Sequence, residues 1–225
     1  MANDLEKEAA ARASLQFIGE GQVVGLGTGS TAAFFIKLLA ERVKNGLRIR
    51  GIPTSVRSHE LAQSLGIPLI TLDDCQEIDV TVDGADEVDP QLRLIKGGGG
   101  AMLREKIVAS ATRKLVIVAD ATKQVPRLGK FPVPVEVIRF AQALVAKRIT
   151  ALGARVTVRT NADSTPYVTD ENNHVLDCHF GEIEDADRLA GQLSVIPGVV
   201  EHGLFINMAS VVLFARGSEI IRLTR

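Results

Sequence analysis

The sequence predicts an α/β protein with a parallel sheet and a second, smaller α+β domain. In the first part of the chain, short apolar runs alternate with segments of helical spacing, as in a parallel sheet covered by helices. After residue 123, three prolines fall close together between residues 126 and 134 and suggest a linker. We therefore expect a main domain over residues 1–130 and 205–225 and a smaller domain over residues 131–204.

The main domain begins with a predicted helix over residues 5–20, where alanine and leucine are frequent and glycines mark the end. An apolar strand at 23–26 then runs into a glycine turn, and apolar residues at helical spacing predict a helix over 32–43. The same alternation predicts strands over 47–52, 68–72, 78–82, 92–95 and 115–119, and helices over 58–65 and 101–111.

The smaller domain is predicted from a second series of elements beyond the linker. These are strands over 135–138, 155–159 and 174–180 and helices over 141–152 and 185–193, an order typical of a small α+β unit. Asn172 and Asn173 lie between two strand-like runs and are typical of a turn. Two last apolar runs, 210–214 and 219–223, are predicted as strands that return to the main domain.

Composition narrows the classes of function. The chain of 225 residues has a formal net charge of -1, with Lys and Arg scattered, which argues against a nucleic-acid partner. Cys75 and Cys178 lack CxxC spacing, so we expect two unpaired thiols in a reducing cytoplasm. No apolar run is long enough to span a membrane, and the acidic start does not resemble a signal peptide. We expect a cytoplasmic protein.

The first glycine turn, GLGTGST at 25–31, joins a strand to a helix. Its glycines allow close backbone approach, the helix start presents free N–H groups, and Ser30 and Thr31 add hydroxyl donors, a combination that suits a phosphate. A dinucleotide fingerprint fits poorly, because Ser30 occupies the third glycine position and no acidic residue ends the next strand. Taken alone, the turn favours anion binding and a simple capped turn about equally.

The second turn, DGADEVD at 83–89, follows a short strand. Asp83 directly follows that strand and should project into the ligand end of the sheet. Carboxylates there can act as acids and bases, hold sugar hydroxyls or bind a metal. No histidine or further carboxylate cluster is recognisable nearby, so we predict no metal site. For Glu87 and Asp89 we expect a solvated acidic rim.

The third turn is a run of four glycines, 97–100, that follows Lys96. Four glycines cost backbone entropy on folding, so a purely mechanical linker between two regular elements would be an unusual place for them. Exposed N–H groups beside a lysine can stabilise an oxyanion. Lys123 follows the strand 115–119 and should also lie at the ligand end, whereas Lys7 lies on the opening helix; surface solvation is the default for both.

Glu105 is the candidate base. On the helix after the glycines, Leu103, Ile107 and Ala111 form one apolar stripe at i, i+4 and i+8. Glu105 is two residues from Leu103, or about 200° around the helix, and is therefore expected to point away from that stripe. A solvated glutamate paired with a neighbouring lysine is the alternative, but the preceding glycines place Glu105 close to an expected anion site.

At these turns the sequence closely resembles ribose-5-phosphate isomerase of the A type. The matching stretches are GLGTGSTA at 25–32, VDGADEVD at 82–89, KGGGGAMLREK at 96–106, ADATKQVPRLGKFPVPVEV at 119–137 and VIPGVVEHGLF at 195–205. The resemblance implies a Rossmann-like main domain that the C-terminus re-enters, a small ferredoxin-like α+β domain, and a homodimer or larger homo-oligomer. It also implies interconversion of D-ribose 5-phosphate and D-ribulose 5-phosphate through an enediolate, in the non-oxidative pentose phosphate pathway, without cofactor or metal.

The resemblance assigns binding roles position by position. The phosphate-side loop would be Thr28, Gly29, Ser30 and Thr31, with help from Lys7. The sugar hydroxyls would be held by Asp83 and Asp86, with Gly84 and Ala85 between them in the substrate site. Lys123 would complete the site.

The resemblance also assigns the chemical steps. Asp83 would help to open the furanose ring, and Glu105 would move the proton between C2 and C1. The developing oxyanion would be stabilised by Lys96 and the amides of Gly97, Gly98 and Gly99. A carboxylate base and an oxyanion cradle are what an aldose–ketose isomerisation requires.

Three other functions remain as alternatives. A related sugar-phosphate isomerase or aminosugar-phosphate deaminase would act on hexose phosphates in a larger pocket. A non-enzymatic sugar-phosphate sensor would carry a fused helix-turn-helix and lack the base, whereas this chain retains Glu105. A coenzyme A transferase-like enzyme would use a glutamate as nucleophile and turn over acyl-CoA.

Overall fold

The computed structural model describes residues 2–217 and 219–225. Its helices are α1 (Ala2–Ser14), α2 (Ser30–Lys44), α3 (Val56–Ser64), α4 (Met102–Ser110), α5 (Gln142–Ala151) and α6 (Ala186–Ser194). Its strands are β1 (Val23–Leu26), β2 (Arg50–Pro53), β3 (Ile78–Asp83), β4 (Glu87–Val88), β5 (Leu94–Ile95), β6 (Thr112–Asp120), β7 (Val133–Val137), β8 (Arg155–Val158), β9 (His174–His179), β10 (Val199–His202), β11 (Leu204–Phe205), β12 (Ala209–Arg216) and β13 (Glu219–Thr224).

The chain divides into two compact units. The first unit comprises Met1–Ala85, Arg104–Gln124 and Met208–Arg225, and the second unit comprises Asp86–Leu103 and Val125–Asn207. This confirms an α/β protein with a second, smaller domain. The boundaries differ from the expected ones, because residues 86–103 and 125–130 group with the second unit. The reason is that β5 pairs with β4 on one side and with β11 on the other, in a small three-stranded sheet of that unit.

The first unit is built on a six-stranded sheet of order β13-β12-β6-β3-β1-β2. Neighbouring strands are parallel throughout, except that β13 runs antiparallel to β12. The central strands are buried along nearly their whole length, as expected of a parallel sheet covered on both faces. The carboxyl ends of β1, β3 and β6 therefore lie at one edge, and the turns that follow them begin there.

The second unit contains a four-stranded antiparallel sheet of order β10-β7-β9-β8. With α5 after β7 and α6 after β9, the chain order is βαββαβ, which is the ferredoxin-like arrangement expected from the resemblance. Its core is apolar and includes Val133, Val135, Val145, Ile149, Leu176 and Leu193.

Two acidic residues expected on a solvated rim are buried in the second unit. Glu87 is 3% exposed, and its carboxylate accepts hydrogen bonds from the backbone N–H groups of Gly129 (2.7 Å) and Phe131 (2.6 Å). Asp89 is 1% exposed and pairs with Arg93 Nε at 2.6 Å. The expectation was wrong because both carboxylates fasten backbone segments, and buried charges require such partners.

Short strands account for the other differences from the predicted elements. The predicted strand over 68–72 is not regular, and only Leu69 forms an isolated parallel bridge, to Gly51. Strands β4, β10 and β11 were not predicted, since runs of two to four residues carry too little periodicity to be recognised. Within the described part of the chain, no helix is long and apolar enough to cross a membrane.

Candidate functional site

The loop after β1 leads into α2 at the carboxyl edge of the first unit's sheet. Gly29 is the N-cap of α2 and has a positive φ of 108°, a backbone conformation that favours glycine. Gly29 and Ser30 are exposed, whereas Thr28 and Thr31 are buried. Because the N-cap residue has no side chain, it leaves the first-turn N–H groups uncapped, as an anion site at a helix start requires.

Thr28 ties this loop to two neighbouring turns. Its hydroxyl lies 2.8 Å from Thr54 Oγ1 and 2.7 Å from Ser55 Oγ, in the turn after β2. Its backbone N–H donates to Asp83 Oδ1 at 3.0 Å, at the end of β3. The loop is therefore held in place by side chains from the ends of both adjacent strands.

A small cavity of about 70 Å³ opens beside this loop. Gly27, Thr28 and Gly29 line one side, and Arg57 and Ser58 of α3 also contribute to its lining. Arg57 did not emerge from the sequence analysis. The available signal was its place in the first turn of a helix that follows a strand next to β1, where Ser55 and Ser58 form a capping box.

Asp83 is 1% exposed at the end of β3, as the sequence predicts for a residue that projects from this strand. Its Oδ1 accepts hydrogen bonds from Thr28 N–H at 3.0 Å and from Gly84 N–H at 2.7 Å. Gly27 lies directly against it, since a Cβ atom on Gly27 would be 2.6 Å from Asp83 Cα. The carboxylate is thus fixed by backbone donors in a space that only glycine leaves open.

Glu105 is 5% exposed on α4, so it is buried rather than solvated. The expected apolar stripe is wrong, because Ile107 is 44% exposed and the buried face of the helix carries Met102, Glu105 and Val108 instead. The end of α4 leads directly into the start of β6. The first turn of α4, with Glu105, therefore lies towards the carboxyl edge of the parallel sheet, where Asp83 also ends its strand.

The two candidate lysines of the first unit, Lys7 and Lys123, differ in position. Lys123 is half-buried in the short 3-10 helix 121–123 after β6, which places it at the carboxyl edge. Lys7 lies on α1, where its side chain is 17% exposed and its Nζ is 3.8 Å from Asp4 Oδ1. The structure thus places Lys123 beside the predicted ligand end. The role of Lys7 in phosphate binding stays a prediction.

The second unit brings Asp86, Lys96 and the glycine loop, residues 97–100, together. Asp86 Oδ2 accepts a hydrogen bond from Gly98 N–H at 2.7 Å. Lys96 is 3% exposed, with its Nζ 5.4 Å from the centre of the Phe205 ring. A Cβ atom on Gly98 would approach Asp86 Oδ1 to 2.6 Å, so glycine permits the contact between loop and carboxylate.

Two further residues of the second unit hold the glycine loop and were missed in the sequence. Arg159 Nη1 donates to Gly97 O at 2.8 Å, and Tyr167 Oη donates to Gly99 O at 3.2 Å. Both lie about sixty residues further along the chain, between β8 and β9. No local pattern marks them, since only the tertiary fold brings this hairpin to the loop.

The arrangement of the described side chains gives no support for a metal centre. Among residues 2–217 and 219–225, no three His, Cys, Asp or Glu side chains are grouped so that they could hold a metal ion. The first unit therefore carries a phosphate-type loop together with Asp83 and Glu105. The second unit carries Lys96, Asp86 and a glycine loop that is held by hydrogen bonds.

The same organisation occurs in known proteins. Residues 50–219 match the family model for ribose 5-phosphate isomerase A, also called phosphoriboisomerase A. The ribose-5-phosphate isomerase A of Nitrobacter hamburgensis is 52% identical over 224 residues, covering 97% of this chain and 96% of that protein.

Solved structures agree over the entire length. A D-ribose-5-phosphate isomerase in complex with phospho-erythronic acid is 40% identical, with a TM-score of 0.97 and full coverage of both chains, 100% each. Ribose 5-phosphate isomerase A from Methanocaldococcus jannaschii is 40% identical, with a TM-score of 0.93 and 99% of each chain covered. Because these relatives cover both units and every turn of the candidate site, the chain belongs to the ribose 5-phosphate isomerase A family.

Proposed function

We propose that this isomerase interconverts D-ribose 5-phosphate and D-ribulose 5-phosphate through an enediolate, with Glu105 as the base that moves a proton between C2 and C1. The two sugars differ in which of these carbons carries the carbonyl group. Removing the proton next to the carbonyl places negative charge on oxygen, so the reaction needs a base and oxyanion donors. A remote phosphate supplies binding energy that positions the reacting carbons.

The observation that carries the assignment of Glu105 is its burial. A glutamate that is only 5% exposed is unusual, since burying a charge costs free energy that only ion pairs or hydrogen bonds offset. Glu105 lies towards the sheet edge at which Asp83 is held by two backbone N–H groups. We propose that Asp83, with Asp86, holds the sugar hydroxyls and helps to open the furanose ring, while Gly84 and Ala85 line the same turn.

For the phosphate we propose the loop of Thr28, Gly29, Ser30 and Thr31. Its support is the exposed start of α2 and the adjoining cavity, to whose lining Arg57 adds a positive charge. We expect Arg57→Met to raise the KM for ribose 5-phosphate about tenfold or more with little change in kcat, because the remote phosphate contributes binding energy rather than chemistry. Arg50→Met, an exposed arginine at the start of β2, is the control.

For the oxyanion we propose Lys96 and the glycine loop. The loop amides are not equivalent, because Gly98 N–H already donates to Asp86. In the described part of the chain, the N–H groups of Gly97 and Gly99 donate to no backbone carbonyl group. These two amides, with the Lys96 ammonium, are the donors that we assign to the developing negative charge, and we assign Lys123 to the substrate site as well.

The deciding experiment follows conversion of ribose 5-phosphate to ribulose 5-phosphate by the purified protein, with a chelator present and no nucleotide added. We expect conversion under these conditions. Glu105→Gln should lower kcat by about 10² to 10⁴-fold, the usual contribution of a general base, while inorganic phosphate still inhibits with unchanged affinity. Glu60→Gln, an exposed glutamate on α3, is the matched control and should keep full activity.

Other outcomes point elsewhere. If the wild-type protein binds ribose 5-phosphate without converting it, the chain is a sensor or acts on another sugar phosphate. Full activity of Glu105→Gln would show that Glu105 is not the catalytic base. Activity that is lost with chelator and restored by a metal ion would refute the metal-free scheme.

We further propose that the enzyme works in the cytoplasm, in the non-oxidative pentose phosphate pathway. The support for a reducing compartment is that Cys75 and Cys178 are both free thiols. Immunodetection of the tagged protein in fractions from its native cell tests the location. Recovery with a secreted or envelope fraction would contradict it.

Finally, we propose that the protein forms a homodimer through an apolar patch of the second unit, the Phe140 patch, made of Ile138, Phe140, Leu144 and Val195. Phe140 is 98% exposed and Val195 is 77% exposed. The Ile138 N–H donates to Gly198 O at 3.1 Å, which brings the start of α5 beside the segment after α6. A two-fold contact would bury this patch on both copies at once.

The oligomeric state tests this proposal. By sedimentation we expect a dimer that Phe140→Ser shifts towards monomer. Leu5→Ser removes an exposed apolar side chain from α1 in the first unit and should leave the dimer intact. A monomeric wild-type protein, or an unchanged dimer in the Phe140 variant, would contradict the assignment.

A further inference from the structure

Three of the four carbonyl groups of the glycine loop are held by donors from the hairpin between β8 and β9. Arg159 Nη1 donates to Gly97 O at 2.8 Å and to Gly98 O at 3.2 Å. Tyr167 Oη donates to Gly99 O at 3.2 Å. A loop of four glycines has more backbone freedom than any other sequence, so three fixed carbonyls remove freedom that the residues themselves do not restrict.

Arg159 is itself held in place. Its Nε donates to Asp177 Oδ2 at 3.0 Å, and its Nη2 donates to Asp177 Oδ1, which forms a two-point pair with this residue of β9. The guanidinium also lies 5.8 Å from the centre of the Tyr167 ring. Because Asp177 neutralises its charge, Arg159 is suited to be a fixed double donor to the loop rather than an anchor for a substrate anion.

The hairpin that carries Tyr167 is fastened to a buried carboxylate. Glu136 is 1% exposed on β7, and its Oε1 accepts hydrogen bonds from Thr169 Oγ1 at 2.8 Å and from Asn173 Nδ2 at 3.0 Å. Tyr167 N–H in turn donates to Arg159 O at 2.9 Å. The donors that hold the glycine loop therefore rest on the four-stranded sheet rather than on a free loop.

Holding a carbonyl group also sets the direction of the next amide. In a trans peptide the C=O and the following N–H point in opposite directions. The carbonyls of Gly97, Gly98 and Gly99 are directed at Arg159 and Tyr167, so the N–H groups of the next residues point the other way. Gly98 N–H meets Asp86, Gly100 N–H closes a turn onto Gly97 O at 2.9 Å, and Gly99 N–H is left in a fixed direction.

We propose that Arg159 and Tyr167 are positioning residues for the isomerisation, which fix the peptide planes of the glycine loop so that the Gly99 amide is aimed at the developing oxyanion. This inference rests on the proposed function, in which that loop stabilises the enediolate. Preorganised donors stabilise charge without a cost of reorganisation during the reaction. Misplacing such donors by about 1 Å can lower the rate by about 10²-fold.

The kinetic test compares four single variants of the full chain. We expect Arg159→Met to lower kcat by about 10²-fold with the KM for ribose 5-phosphate changed less than about threefold. Arg159→Lys keeps one donor to the loop but not the two-point pair with Asp177, so its kcat should lie between those of Arg159→Met and wild type. Tyr167→Phe removes a single neutral donor and should lose less. Arg155→Met changes an exposed arginine on β8 and is the control.

Inhibitors separate positioning from general damage. Phospho-erythronic acid carries a carboxylate in place of the reacting carbonyl carbon, so its inhibition constant should rise in Arg159→Met. The inhibition constant of inorganic phosphate should stay as in wild type, because we assign phosphate to the loop of residues 28–31 and not to the glycine loop. A fall in thermal stability with kcat unchanged would show a merely structural role and overturn the proposal.

Hydrogen exchange provides a readout that does not depend on activity. Peptides covering residues 97–101 should exchange faster in Arg159→Met than in Arg155→Met and wild type. If the wild-type protein fails to convert ribose 5-phosphate, the proposed function fails, yet this measurement still decides whether Arg159 holds the loop. Either unchanged hydrogen exchange or unchanged kcat in Arg159→Met would refute the inference.

Discussion

At the scale of single residues, Gly27 shows how closely the backbone approaches the candidate site. A Cβ atom at this position would lie 2.4 Å from Asp83 Oδ1 and 2.6 Å from Asp83 Cα, and a backbone atom cannot swing aside as a flexible side chain can. We expect Gly27→Ala to lower the free energy of unfolding by about 1–3 kcal/mol, as overpacking does, and to reduce turnover by moving the carboxylate. Denaturant unfolding and the ribose 5-phosphate assay measure the two effects.

Gly191 is the matched control for this substitution. It lies inside α6, and nothing is found within 4 Å of a Cβ atom built on it. Gly191→Ala should raise the free energy of unfolding by up to about 1 kcal/mol, because alanine favours the helix, and leave activity unchanged. Equal effects of the two substitutions would show that the contact between Gly27 and Asp83 does not matter.

The two thiols should differ in reactivity. Burial raises the pKa of the Cys178 thiol to about 12, so almost no thiolate forms at pH 8 in the folded protein. Cys75 is only half-buried. We expect iodoacetamide at pH 8 to modify Cys75 alone in the native protein and both thiols in denaturant, as mass spectrometry of peptides can show. Modification of both at similar rates in the native protein would contradict the burial of Cys178.

Apart from Lys7, which lies within α1, the site residues predicted from the sequence lie close to the end of a strand or the start of a helix. Asp83 follows a recognisable strand, and Lys96 precedes a run of four glycines, which the sequence analysis assigns to an oxyanion site. Arg57 could have been found by the same rule, from its place after β2. Arg159 and Tyr167 could not, because their partners lie about sixty residues away and a hydrogen bond to a carbonyl group leaves no mark on local sequence.

At the scale of elements, α4 shows where periodicity misleads. The apolar residues Leu103, Ile107 and Ala111 are spaced as a core stripe, yet Ile107 is 44% exposed and Glu105 is 5% exposed. Burial of a carboxylate in place of an apolar side chain violates the rule on which the pattern depends. Such violations are expected at functional sites, where local consistency gives way to chemistry.

Glu136 on β7 makes the stability of the folded protein depend on pH. Burial of Glu136 raises the pKa of its carboxyl group above 4.5, although the hydrogen bonds from Asn173 and Thr169 partly oppose the shift. Folding therefore favours the protonated form relative to the unfolded chain. Its contribution to stability is fully present below pH 4.5 and is lost as the pH rises through the folded pKa.

Glu136→Gln tests this term, since the amide oxygen can still accept both hydrogen bonds and cannot ionise. We expect the free energy of unfolding of the variant to exceed that of the wild type by an amount that grows as the pH rises from 4.5 to 8. Urea unfolding at several pH values measures the difference. Glu184→Gln, an exposed glutamate before α6, should show no such trend. A difference that shrinks with rising pH would reverse the assigned sign.

At the scale of the whole molecule, fold class was predictable from sequence and the partition of the chain was not. Alternating strands and helices predict a parallel sheet, and this prediction does not depend on the exact ends of each element. The first unit, however, is assembled from three separate segments of the chain, and residues 86–103 leave it for the second unit. That difference depends on β4 and β5, strands of two residues each, which are too short for periodicity to show that β5 pairs with β4 and with β11.

The last two strands of the chain, β12 and β13, allow a test of what stabilises the sheet of the first unit. Strand β12 lies between β6 and β13, and Val212, Leu213 and Phe214 are at most 1% exposed. Strand β13 is an antiparallel edge strand and is mostly half-exposed. We expect a chain that ends at residue 216 to remain folded with a lower melting temperature, because it loses an edge strand and the hydrogen bond from Gly217 N–H to Glu6.

A chain that ends at residue 208 should not fold. Each buried Val, Leu or Phe side chain of β12 contributes about 1.5–3 kcal/mol, so the loss of several approaches the whole stability of an ordinary protein, about 5–15 kcal/mol. The parallel edge of β6 would also be left unpaired along most of its length. Circular dichroism and the soluble fraction on expression compare the two truncations. Cooperative unfolding of the shorter chain would contradict this prediction, because it would mean that the sheet is stable without β12.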